Sequence, residues 1–159
     1  MKVIILAGGK GTRLSEMTKI IPKPLVKIGK YPMLIHIMNL YSKFGFKDFI
    51  ICTGYKHLEF YSFFKNNYNI NFIKNSNKEK SFKILNKGWH ITLSYTGIET
   101  GTAGRILKIK KLLINEKNFF LTYGDGIGNI NIKKLLKLHK DKKKIATMTV
   151  VKKAMNFGA

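Results

Sequence analysis

Three short apolar runs, Lys2–Leu6, Asp48–Thr53 and Asn118–Tyr123, each stop at glycine, with helix-patterned stretches between them. A strand that is apolar on both sides must be covered on both faces, and strands alternating with helices give a mostly parallel sheet in three layers. The helical stretches are 32–44, with Pro32 suited to the first turn and Gly45 to the C-terminal cap, 57–68 with an aromatic face, 103–113 and 132–139. Residues 90–96 alternate like a strand, 144–151 are strand-like, and the polar span 69–88 reads as a surface excursion. With 159 residues, 45% of them hydrophobic, and no repeat or linker, the chain reads as one domain with a sizeable core.

The net charge of +22 raises the question of a polyanionic partner. Only Arg13 and Arg105 of the 30 basic residues are arginine, and the lysines are spread along the whole chain beside abundant Asn and Ile. That is the signature of A+T-rich coding, so specific nucleic-acid binding is not the expected role. No run is long and apolar enough to span a bilayer, Met1–Gly9 lacks a secretory signal, and Cys52 is the one cysteine. A cytoplasmic location without membrane attachment is the expectation.

The first run leads into Leu6-Ala7-Gly8-Gly9-Lys10-Gly11-Thr12-Arg13-Leu14. Walker A requires lysine after its last glycine, but Thr12 follows Gly11; the dinucleotide fingerprint requires glycine where Leu14 stands. What remains is a different anion cradle. Glycines 8, 9 and 11 let backbone N–H groups converge, and Arg13 adds a planar fork of donors; the alternative is a tight turn with a solvated arginine. Downstream, Pro22-Lys23-Pro24 braces one lysine between two prolines, as suits a cation that must meet developing charge.

LAGG-x-GTRL followed by PKP resembles the opening of the sugar-1-phosphate nucleotidyltransferases, most closely the cytidylyltransferases that act on glucose 1-phosphate. The resemblance continues in HIMNLYSKFG, DFIICTGYK, ITLSYTG, TAGR and FLTYGDG, covering residues 1 to 159. It implies a Rossmann-like nucleotidyltransferase fold, CTP and a sugar 1-phosphate as substrates, Mg²⁺ as cofactor, and transfer of CMP with release of pyrophosphate.

Asp is scarce: Asp48 and Asp141 look like surface residues, whereas Asp125 follows the run 118–123 between Gly124 and Gly126. On residues alone Asp125 is equally a turn or a metal ligand; the resemblance makes it the Mg²⁺ ligand. It further implies that Leu6, Ala7, Gly8 and Gly9 contact the base and sugar side of the nucleotide, and that Gly11, Thr12 and Arg13 hold the β- and γ-phosphates. Lys23 is then the cation at the α-phosphate, and Thr102, Gly104 and Arg105, with Gly124, flank the nucleotide. Arg13, Lys23 and Asp125 are the expected catalytic set. Ala103 stands where the family has glycine. His36, His57, His90 and His139 show no metal or triad spacing and read as core or surface residues, as do Trp89, Cys52 and the aromatics of 60–68.

Family members continue for roughly a hundred residues past position 159, with a second metal carboxylate and the sugar-phosphate lysine. Residues 1–159 are therefore expected to be the nucleotide-binding part, lacking the sugar-phosphate part and forming a homo-oligomer at full length. The other readings are a non-catalytic nucleotide-binding remnant, a uridylyl- or thymidylyltransferase, and a basic nucleic-acid-binding protein.

Overall fold

Strand β1 (Val3–Ala7) is buried over all five residues, as a strand covered on both faces must be. The computed structural model describes residues 1–11 and 20–150. Two compact units divide the chain, Met1–Ile127 and Gly128–Ala159.

In the first unit, β2 (Lys27–Ile28) and β3 (Tyr31–Pro32) form a small ribbon, followed by α1 (Met33–Lys43), β4 (Asp48–Thr53) and α2 (His57–Asn67). Then come β5 (Ile70–Asn75), β6 (Glu79–Ile84), β7 (Trp89–Tyr95), α3 (Thr102–Lys108) and β8 (Phe120–Tyr123). The main sheet runs β5-β6-β7-β4-β1-β8. The pairs β7/β4, β4/β1 and β1/β8 are parallel, whereas β5/β6 and β6/β7 are antiparallel. The chain steps from β1 to β4 to β7, then returns past both to place β8 on the far side of β1. That reversal is the topological switch point at which open α/β sheets bind ligands.

Register places Phe72, Phe82, Ile91, Phe49, Val3 and Phe120 in one row across all six strands. Helices α1 and α2 cover that face, with the Tyr41 ring 5.4 Å from Phe120 and the Phe64 ring 5.5 Å from Phe82. On the other face Ile4, Leu6, Ile50 and Cys52 pack against Ile109, with Leu112 and Leu113 at the margin. Over β6 and β7 this second face is polar, carrying Ser81, His90 and Thr92, which is why β7 alternates where β1 does not.

Three expectations need correction. The span 69–88 is no surface excursion: β5 and β6 extend the sheet, and Ser81, Phe82 and Ile84 of β6 are buried. Residues 144–150 form no strand, and Ile145, Met148 and Val150 are exposed there, with no ladder to hold them extended; residue 151 lies outside the described residues. The helix expected over 103–113 is two pieces, α3 and a 3₁₀ turn at Lys110–Leu113. In the second unit α4 (Ile132–Lys142) is capped by Asn131, whose side chain accepts from the Lys134 N–H at 3.0 Å.

Candidate active site

A cleft of about 370 Å³ opens at the switch point. The end of β1 supplies Leu6 and Ala7, the turn after it supplies Gly8, Gly9 and Gly11, and residues 123 and 125 at the end of β8 face them. Lys23 and Pro24 line one side, and Thr100, Gly101, Thr102 and Arg105 the other. Of the expected site residues, these include every described one except Gly104 and Gly124; Thr12 and Arg13 lie outside the described residues. Gly11 has φ +66°, the left-handed backbone expected of a glycine cradle.

Lys23 begins a single 3₁₀ turn, Lys23–Leu25, closed by the Leu25 N–H donating to the Pro22 carbonyl at 2.8 Å. Pro24, its middle residue, is buried. The Lys23 ammonium donates to Asp125 Oδ2 at 2.7 Å across 102 residues of sequence. Gly124 allows that approach: its N–H donates to the Leu6 carbonyl at 2.9 Å, and a Cβ there would sit 3.1 Å from both Leu6 O and Pro24 Cγ. Gly104 is a spacer behind the wall, where a Cβ would meet Thr100 Cγ2 at 2.9 Å.

Arg105 is neither a solvated helix-start residue nor an open cation. It is 5% exposed. Its Nη1 donates to the Thr53 carbonyl (3.2 Å), Thr96 Oγ1 (2.6 Å) and the Gly97 carbonyl (2.8 Å); its Nη2 donates to the Gly8 (3.1 Å) and Ile98 (3.2 Å) carbonyls. Burial presses its pKa below the ordinary arginine value, while Cys52 and Tyr95 push the other way. Lys108, one turn on, donates to the Thr96 carbonyl (2.8 Å) and to Thr100 Oγ1 (3.0 Å).

Sequence reasoning did not single out Gly54, Thr96, Thr100 or Tyr123. The glycine after DFIICT was the available signal for Gly54: a Cβ there would lie 2.5 Å from the Gly97 carbonyl and 2.6 Å from that of Gly8. His90, for which the sequence offered no triad partner, has Ser81 Oγ at 2.9 Å from Nε2 and Asp48 Oδ1 at 3.2 Å from Nδ1. This trio sits on the polar sheet face at the N-terminal end of β4 and does not line the cleft. Among those residues no three His, Cys, Asp or Glu side chains cluster to hold a metal, and no helix is long and apolar enough to cross a membrane.

The chain is 40% identical to the glucose-1-phosphate cytidylyltransferase of Salmonella typhimurium over 163 residues, covering all of this chain. It is 43% identical over 161 residues to a Bacillus subtilis protein described as "Probable glucose-1-phosphate cytidylyltransferase", covering 99% of this chain. It spans 63% of the length of each relative. A UDP-glucose pyrophosphorylase solved with UDP-glucose superposes with a TM-score of 0.65 at 20% identity, over 89% of this chain and 54% of that one, which establishes likeness of fold. Residues 2–158 match the family model described as "Nucleotidyl transferase", and the chain belongs to that nucleotidyltransferase family.

Proposed function

We propose that this chain carries the nucleotide-binding part of a sugar-1-phosphate nucleotidyltransferase that moves CMP from CTP to glucose 1-phosphate and releases pyrophosphate. The observation that carries this reading is the convergence, in one switch-point cleft, of the glycine turn after β1 with the Lys23–Asp125 pair. The similarity to cytidylyltransferases favours cytosine and glucose over other bases and sugars.

A sugar phosphate is already an anionic nucleophile at neutral pH, so the site needs no strong base. It must align two polyanions and offset charge that develops on the leaving pyrophosphate. Leu6, Ala7, Gly8 and Gly9 present backbone to the nucleotide, and Thr102 with Gly101 forms the opposite wall. Gly11, Thr12 and Arg13 take the β- and γ-phosphates. Lys23 is the cation for the α-phosphate, held at the cleft by its prolines and by Asp125.

Asp125 fits a magnesium ion: it is a part-exposed carboxylate at the cleft, and Mg²⁺ takes one or two carboxylates and fills its shell with phosphate and water. Bound there, the ion would supply charge neutralisation to the phosphates.

Titration calorimetry with CTP, UTP and dTTP in the presence of Mg²⁺ tests the binding, and pyrophosphate release with glucose 1-phosphate tests the reaction. Selective CTP binding that Lys23→Ala weakens is expected; where turnover is measurable, that variant should lose about 10²–10³-fold in rate. A chain that binds none of the three nucleotides overturns the reading. Binding of CTP without pyrophosphate release would identify a nucleotide-binding remnant.

A further inference from the structure

We propose that Arg105 is a positioning residue, one that acts on the nucleotide through the Gly8–Gly9 peptide rather than by touching phosphate. This rests on the reading of the cleft as a nucleotide site. The four terminal N–H groups of Arg105 face five oxygen acceptors, drawn from the last residue of β4 (Thr53) and from the turns that follow β1 (Gly8) and β7 (Thr96, Gly97, Ile98). Thr96 Oγ1 itself donates to the Thr53 carbonyl at 2.7 Å, so its lone pairs are free to accept from Arg105. The guanidinium is thus spent on the scaffold and offers no spare terminal donor to an anion.

What it does for the anion follows from the peptide plane. A trans peptide sets its N–H opposite its C=O. The Gly8 carbonyl points inward, held by Arg105 Nη2 at 3.1 Å and by the Tyr55 N–H at 3.2 Å. The Gly9 N–H therefore points away from Arg105, and both glycines line the cleft. Rotating that peptide would turn a carbonyl toward the phosphates in place of a donor. A side chain on Gly8 would fall on the guanidinium, so position 8 has to be glycine while Arg105 occupies this place. Lys108 gives the same support to the facing wall through Thr96 and Thr100.

The composition makes the test direct, because Arg13 and Arg105 are the only arginines. Guanidinium and amide NMR spectra of the full chain are recorded with and without CTP and Mg²⁺, with Arg13→Lys identifying the two arginines. The expected result is that Arg105 N–H signals are slowly exchanging in the free protein and stay in place when CTP is added, while the Gly9 amide moves. In folded Arg105→Lys the Gly9 amide should shift before any ligand is present, and CTP affinity should fall at least tenfold. An Arg105 signal that moves with CTP as far as that of Arg13 overturns the proposal, as does a Gly9 amide unchanged in folded Arg105→Lys. If Arg105→Lys does not fold, the spectra of the unaltered chain still decide between a committed and an open guanidinium. Absence of CTP binding by the parent would refute the nucleotide reading, while rapidly exchanging Arg105 N–H groups in that same free protein would refute the clamp.

Discussion

Lys23 and Asp125 meet at 2.7 Å with side chains 28% and 42% exposed, which makes their pair a surface ion pair by energy and a site feature by position. Exposed pairs of this kind contribute about 0.2–1 kcal/mol. Asp125→Asn should therefore leave the urea midpoint almost unchanged while removing the Mg²⁺-dependent part of CTP binding. Calorimetry with and without EDTA separates the two effects. A large stability loss would assign the pair to the scaffold instead, and retained metal dependence would move the ion elsewhere.

Three glycines on the same turns should respond differently to alanine. At Gly8 the new Cβ falls on a guanidinium pinned by five acceptors, and at Gly54 it meets two backbone carbonyls, so neither neighbour can move aside cheaply. At Gly9 nothing lies within 4 Å. Overpacking costs about 1–3 kcal/mol, and for a chain of this size each kcal/mol moves Tm by roughly 2–4 °C. Gly8→Ala and Gly54→Ala should melt several degrees below the parent and Gly9→Ala close to it. Equal melting points for the three would refute the close packing around Arg105.

Much of this was legible in the sequence because it was local. β4 occupies Asp48–Thr53 as expected, since the four apolar residues Phe49–Cys52, set between Asp48 and Thr53 and closed by Gly54, admit few other structures. The glycine turn, the braced Lys23 and Asp125 could each be picked out by residue type. Their contact could not, because it depends on the switch-point order of strands drawn from opposite ends of the chain. The β5–β6 hairpin was hidden because lysines and asparagines face outward on it, leaving Phe82 and Ile84 as faint evidence of a buried side. Residues 144–150 carry a strand pattern without a ladder, and pattern alone does not create a partner. Arg105 stood out in the sequence but its hydrogen-bond network did not, since four of its five acceptors are backbone carbonyls, which leave no mark in a sequence.

His57 should make stability pH-dependent. Thr53 Oγ1 donates to the Ser94 carbonyl at 3.0 Å, so it accepts from the His57 Nδ1–H at 2.6 Å and leaves Nε2 as a buried acceptor without a hydrogen-bond partner. Burial, with Lys80 as a second cause, lowers the His57 pKa. The unfolded chain, whose histidine titrates near 6.5, then takes up the proton first as pH falls. The stabilisation is complete above pH 6.5 or so and drains away from there down toward the depressed folded pKa. Urea midpoints measured between pH 7.5 and 5 should fall, and His57→Asn, which keeps a donor near the Nδ1 position, should flatten that slope. An equal slope in both proteins would assign the titration to another group.

Cys52 offers a clock for opening of the sheet. It is fully buried on the face that packs against Ile109, and burial pushes its pKa up to about 12 despite the opposing charge of Arg105. The thiolate is the reactive form, so at pH 8 a thiol of this pKa holds roughly 10³-fold less of it than a free cysteine, before access is counted. A disulfide reagent should therefore leave the native protein almost unlabelled and react with one thiol per chain in urea. Because the route to Cys52 requires Ile109 and the 3₁₀ turn behind it to lift from β1 and β4, the residual native rate measures that local opening. Arg105→Lys, which loosens the turns at the ends of the same strands, should raise the rate well before it lowers the urea midpoint. Rapid labelling of the unaltered native chain would mean that this face of the sheet is not closed.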